Sequence, residues 1–425
     1  MREFKLINLV DSLRDDAIKL CCDLVRVNTV NPYSGDPEPG NELAGHEILA
    51  RKAKALGASI RYIDIPEDIY AKVGIIGPVG RNFKGRPNLI ADFSFGEGGK
   101  TIILNGHMDT VSASNMNFPP FEARISNGKI FGRGASDDKG GLTAALISIE
   151  AIVRSGLPLN GRIVLESVAD EECSGAGAGT MACCLYGGIE ADEAIVVDAS
   201  RLGIGIASYG VVTAYVTVHG RSGHSSRGGI NAIDKAFIIK EKVIDKFKEE
   251  REEAGLGKVN LGIFNAGAHP SVIPSQAVMG INIFYSPKEA AASLKAGKGC
   301  NGSLIREAFE EQVRYVESTD DWLRAHPSEI MWEKDALPFE IEEESPLVKR
   351  LTAACEKVGH PSEPFVLEAW TDAGNIQNLL GIPVVLFSPA EEGVSHGPDE
   401  CITIDNIVSC AKSLSIYLYR ELKSL

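Results

Sequence analysis

Short, nearly continuous apolar runs punctuate the chain: IRYIDI (60–65), NLIADFSF (88–95), TIILNG (101–106), RIVLESV (162–168), AIVVDA (194–199) and PVVLFS (383–388). Because apolar residues follow one another instead of alternating with polar ones, both faces of each run need cover. Helical periodicity marks the stretches around 9–28, 40–57, 139–155, 370–380 and 404–423. Strands buried on both faces and separated by helices restrict the chain to an α/β architecture, with a mixed, largely parallel sheet between helical layers.

The middle follows a different rule. VVTAYVTVHG, after Gly210, alternates apolar and polar residues; a long charged helix is predicted over 230–254, and strands at KVNLGIFNAG and QAVMGINIFYS. That pattern predicts a half-exposed sheet with helices on one side, an α+β unit. The α/β pattern resumes near SPLVKRLTAACEK (345–357), so the unit reads as an insertion. The expected division is 1–206 for the first part of the α/β domain, 207–335 for the inserted α+β domain, and 336–425 for the second part. The Ala/Gly/Lys-rich stretch 288–304 is expected to be an exposed loop before a helix.

Charge removes several classes of function. The net charge of −15 offers no basic surface for phosphates or anionic lipid, so neither nucleic acid nor a membrane is an expected partner. MREFKLINLVDSLRDD carries charge where a signal peptide needs its apolar stretch, and no run of about 18 apolar residues occurs. A cytoplasmic location is expected. The nine cysteines include the adjacent pairs Cys21–Cys22 and Cys183–Cys184 and no CxxC, so reduced thiols are expected.

Chemistry concentrates where the strands should end. NGHMDTV holds His107 and Asp109, two apart and therefore on one side of an extended chain. FGRGASDDKGG places Asp137 and Asp138 in a Gly-rich turn before a helix, and VLESVADEECSG ends on Asp170, Glu171 and Glu172. VVDAS supplies Asp198 and VSHGPDE supplies His396. Alone, each has an ordinary explanation: a turn histidine, a solvated acidic loop, an Asp N-cap. Ligands of open α/β sheets collect beyond the carboxyl ends of the strands, and acids converging there repel unless a cation sits among them. Imidazole and carboxylate are the donors of catalytic zinc and similar ions, and this many donors exceeds the needs of one ion.

In this order, GHMDTV, GRGASDDKGG, DEECSG, the Asp198 region, GHSSRGGINAI and SHGPDECI resemble the motifs of the co-catalytic zinc hydrolases that include acetylornithine deacetylase, succinyl-diaminopimelate desuccinylase, aminoacylase, glutamate carboxypeptidase and tripeptidase. The resemblance spans nearly the whole chain. It implies two Zn2+ ions, with Co2+ or Mn2+ as substitutes, bridged by Asp137; His107 and Asp198 complete one site, Glu172 and His396 the other. It further implies that Asp109 accepts the His107 N–H, that the Asp137–Asp138 peptide is cis, and that Glu171 is the general base. The inserted domain resembles the family's lid and dimerisation domain, in which His224 reaches the developing oxyanion, in several relatives across a homodimer.

Three features depart from the family pattern. Asp198 stands where deacylases commonly carry Glu, which favours the peptidase branch. Ser271 and Phe284 occupy positions where the family carries an Asn and an Arg that bind substrate, and FSPAEEG replaces Gly-Pro-Gly. The expected activity is hydrolysis of an amide bond in a small N-acyl amino acid or related N-acyl amine. The alternative is a di- or tripeptidase, or carboxypeptidase, acting on short peptides. A binding protein that has lost its chemistry is the reading from another class, and the intact ligand set speaks against it.

Overall fold

The computed structural model describes residues 1–173 and 175–423. Ser174 of the DEECSG motif lies outside the described residues. The apolar runs assemble into a nine-stranded sheet in the order Ser59–Ile63, Asn88–Gly96, Gly161–Val168, Thr101–His107, Glu193–Val196, Val384–Leu386, Ile204–Ser208 and Phe339–Glu340, with Pro364–Leu367 also paired to Ile204–Ser208. Parallel pairing joins the four central strands from Gly161–Val168 to Val384–Leu386 and adds Pro364–Leu367; the flanks are antiparallel.

Both faces of the centre are buried, as continuous apolar runs require. Ile102, Leu104, Ile163 and Leu165 pack on one side against Leu146 of helix Gly140–Ser155 and Leu414 of helix Ile404–Leu422. Ile103 and Val164, at the intervening positions, pack on the other side with Cys183 of Ala178–Tyr186 and Ile376 of Ala373–Leu380. Each such Leu or Ile contributes ~1.5–3 kcal/mol through burial.

Residues 210–336 build a separate antiparallel sheet in the order Val259–Ala266, Gln276–Tyr285, Gly210–His219 and Glu329–Ala336. The alternation in VVTAYVTVHG explains its sidedness. Val212, Val216 and Val218 pack with Phe247, Phe309 and Val313 from the helices, while Thr213 and Tyr215 point the other way.

Some local expectations change. The segment 288–304 begins as helix Pro287–Lys295, because Ser286, Pro287 and Glu289 form a capping box with proline at its start. The predicted 9–28 helix begins earlier and breaks at Leu13 into Arg2–Ser12 and Arg14–Val25. Strand Glu329–Ala336 has no counterpart among the predicted elements; its charged residues interrupt the apolar pattern. All nine cysteines are free. No described helix is long and apolar enough to cross a membrane.

Candidate metal centre

Strand register brings the candidate residues together. Asn105 pairs with Val196 in the parallel ladder, so two residues further His107 comes level with Asp198. His107 itself pairs with Val168, and the acidic turn starts two residues later. A small antiparallel sheet pairs Cys401–Thr403 with Lys129–Phe131 and returns the segment carrying His396 and Glu400 to the Asp137 turn.

Asp137 lies at the centre. His107 Nε2 stands 2.9 Å from Asp137 Oδ1, and His396 Nε2 stands 3.2 Å from Oδ2 and 3.0 Å from Glu172 Oε1. One carboxylate thus offers each of its oxygens to a different imidazole. Donor atoms of His107, Asp137 and Glu172 all lie within 4.8 Å of one another. The peptide between Asp137 and Asp138 is cis.

Asp198 is buried beside this group. Burial, reinforced by the charge of Asp137, pushes its carboxyl up to about 7. Burial also raises the Glu171 carboxyl well above its ordinary value, opposed by His107, and raises that of Glu172. At Asp137 the burial penalty is outweighed by hydrogen bonds from His107 and His396, which hold its carboxyl below the usual range. His396 is pushed up to about 11 by its hydrogen bonds to Asp137 and Glu172. The cluster holds more buried carboxylate than its imidazoles neutralise, and its nitrogen and oxygen donors suit a divalent cation of the zinc type.

Asp109 plays a part different from the one expected. His107 Nδ1 meets the backbone carbonyl of Asp109 at 2.9 Å, whereas the nearer Asp109 carboxylate oxygen stands at 3.8 Å. That carboxylate instead accepts the amides of Glu171 (3.2 Å) and Glu172 (3.1 Å) and the side chain of Asn31 (2.8 Å). The reason is the turn itself: Asp170 has φ +68°, which aims the next amides at Asp109.

Asp170, the least defined acid in the sequence, is fully buried and anchors this turn. It receives Arg81 Nη1 at 2.6 Å, Asn31 Nδ2 at 3.2 Å and Tyr70 Oη at 3.3 Å, with Arg86 Nη1 at 3.5 Å. Arg81 also donates to the Cys173 carbonyl, Lys334 Nζ to the Gly175 carbonyl at 3.2 Å, and Asn375 Nδ2 to the Ala176 carbonyl at 2.8 Å. Burial lowers the Lys334 ammonium to about 8 against the opposing charge of Glu171. Behind Asp137, Glu400 accepts the amides of Ser136 (3.0 Å) and Asp137 (3.2 Å) and pairs with buried Arg133 at 2.6 Å. Arg133 and Glu400 lie inside recognisable motifs. Asn31, Arg81, Arg86 and Lys334 carry no local pattern.

Glu171 is half-buried, and its carboxylate makes no hydrogen bond among the described residues. His224 is exposed in the two-stranded ladder of Gly223–His224 with Val272–Ile273, and its Nδ1 meets Ser226 Oγ at 2.9 Å. It makes no contact with the cluster among the described residues.

Glycine lets the turn dock. A Cβ on Gly141 would lie 1.9 Å from the Val197 carbonyl oxygen and 2.1 Å from Asp138 Oδ1. Gly141→Ala is expected to cost ~1–3 kcal/mol in urea unfolding through overpacking. It should also lower the bound metal measured after dialysis, because the displaced groups flank Asp137 and Asp198.

Imidazoles and carboxylates gathered around the carboxyl ends of the parallel strands fit a metallohydrolase. The chain belongs to the peptidase family M20/M25/M40, whose model matches residues 103–420. It is 30% identical to the N-formyl-4-amino-5-aminomethyl-2-methylpyrimidine deformylase of Halalkalibacterium halodurans, over 98% of this chain and 96% of that protein. It is 26% identical to a probable succinyl-diaminopimelate desuccinylase of Staphylococcus epidermidis, over 93% and 95%. The fold is shared with a tripeptidase from Staphylococcus aureus (TM-score 0.70, 20% identity, 96% and 99% covered) and a dipeptidase from Saccharomyces cerevisiae (0.73, 16%, 98% and 98%). The chain is therefore a metal-dependent hydrolase of amide bonds.

Proposed function

We propose that this hydrolase holds two Zn2+ ions and removes a short acyl group from a small amine. The observation that carries the dinuclear reading is Asp137, whose two oxygens face His107 and His396 separately. His107 and Asp198 would hold one ion, Glu172 and His396 the other. Bound, the ions supply Lewis acidity toward the scissile carbonyl and activate water.

The chain's own groups do the rest. Glu171 is the general base: its carboxylate takes a proton from the attacking water and returns it to the amine nitrogen as the C–N bond breaks. Asp109 holds the amides of Glu171 and Glu172 so that the two side chains diverge.

For the substrate, Phe284 is informative. It packs in an apolar cluster with Val211, Met181 and Trp370, and its side chain supplies no positive charge for a substrate carboxylate. That favours an N-acyl amine lacking an α-carboxylate, the chemistry named for the 30%-identical deformylase. Peptide hydrolysis is the second reading, favoured by Asp198.

Residues 207–335 act in this proposal as lid and dimerisation domain, with the enzyme working in the cytoplasm. Edge strand Val259–Ala266 exposes Ile263 and Phe264, and the Phe264 ring lies 5.6 Å from that of exposed Phe237. An uncovered apolar edge favours pairing with a second copy. Lid closure or that second copy would bring His224 to the oxyanion.

The test is to incubate zinc-replete protein with N-formyl, N-acetyl and N-succinyl amines and amino acids and with di- and tripeptides, and to read products by mass spectrometry. Release of a short acyl group from an amine is the expected result. Cleavage of peptides alone would overturn the deacylase reading.

A further inference from the structure

The acidic turn that carries Glu171 and Glu172 is held at four backbone groups by the α/β part of the chain: Asp109 on two amides, Arg81 on the Cys173 carbonyl, Asn375 on the Ala176 carbonyl. Between them, the Gly175 carbonyl is held from elsewhere. Its donor is Lys334, 159 residues away in sequence, on strand Glu329–Ala336 of the four-stranded sheet.

Two features show how this lysine reaches the turn. The ladder with Gly210–His219 slips between Trp332 and Lys334, so Glu333 is left over and the strand bends there. A bulge of this kind re-aims the side chain that follows it. Lys334 then pairs with Thr213, on the sheet face opposite the packed helices, and is only 8% exposed. Next to it, the Asp335 amide donates to the Ile76 carbonyl at 2.9 Å in the loop that also carries Arg81. Shortly after Ala336 the chain re-enters the large sheet at Phe339–Glu340. A long side chain at the root of the inserted unit thus ends on the turn that carries the proposed base.

We propose that Lys334 is a positioning residue: it clamps the Gly175 carbonyl and so couples the attitude of the inserted unit to the placement of Glu171. The catalytic half of this inference rests on Glu171 being the base; the clamp does not. A buried ammonium satisfied by a carbonyl holds backbone firmly, and a swing of the root strand either keeps or withdraws that donor. The base is then correctly placed in only one position of the inserted unit.

The experiment uses the full-length, zinc-replete protein with Lys334→Met and Lys334→Arg. Hydrogen–deuterium exchange of peptides covering 169–178 should quicken ~tenfold in Lys334→Met, with the sheet strands unchanged. Lys334→Arg, which keeps a donor, should restore protection. With an amide substrate, the turnover number of Lys334→Met should fall ~10- to 100-fold through misplacement of the base, with KM within about twofold and rescue by Arg. If Met does not fold, Lys334→Gln is read the same way. Unchanged exchange in the neutral variant overturns the clamp. Faster exchange with unchanged turnover overturns the catalytic coupling. Should the wild type hydrolyse no amide at all, the functional reading fails, and exchange alone still decides the clamp.

Discussion

With Glu171 as the proposed general base, Glu171→Gln protein should keep its fold and its metal and lose ~10²–10⁴-fold in turnover, the contribution of a positioned base. The substitution preserves volume and removes only the ability to take a proton. The backbone amide of Glu171 stays on Asp109 Oδ1, and the carboxylate gives up no hydrogen bond among the described residues. Glu172→Ala should behave in the opposite way: it removes a donor that sits 3.0 Å from His396 and within the 4.8 Å cluster, so metal content falls together with activity. Elemental analysis after dialysis, alongside turnover, separates the two. Equal loss of activity with full metal in both variants would falsify the division of roles within the acidic turn.

Asp170→Asn should be the most damaging change to stability outside the apolar core. Asp170 is fully buried, and its carboxylate is the ion partner of Arg81 at 2.6 Å, itself only 7% exposed. Removing one member of a buried pair strands the other charge, at a cost of ~3–5 kcal/mol. Arg86 suffers less, because Glu42 remains its close partner. Urea unfolding at neutral pH measures the effect, and a loss below ~1 kcal/mol would show that the guanidinium finds water or another acceptor instead. Activity should fall as well, since the same carboxylate anchors the turn that presents Glu171.

Much of this site was legible before any coordinates. His107 ends its strand, Asp198 and Glu172 follow theirs within a few residues, and Asp137 lies in a Gly-rich turn before a helix, positions that follow from local apolar pattern and turn residues; His396 sits in a longer loop, ten residues after Leu386. The acidic triplet was legible as a cluster, but its division of labour was only partly so. Asp170 points away from the metal-type donors toward two arginines, and Asp109 supports amides with its carboxylate where an imidazole partner was expected. The helix at Pro287–Lys295 was missed, because the Ala/Gly/Lys composition around it points to a loop, although Ser286, Pro287 and Glu289 form its start.

Asn31, Arg81, Arg86 and Lys334 are of another kind. They lie in loops or at a bulge, where neither the helical nor the strand period applies, and a lone Arg or Lys in such a stretch looks like any solvated charge. Arg81 meets Asp170 across 89 residues of chain and Lys334 meets Gly175 across 159. By itself the sequence determined the layered architecture and the donors at the strand ends, because both depend on periodicity and on residues a few positions apart. Which buried cations hold the acidic turn, and that one of them comes from the inserted unit, was decided only by tertiary structure. Those contacts exist only once distant loops are packed against the same strand end, where burial makes each of them strong.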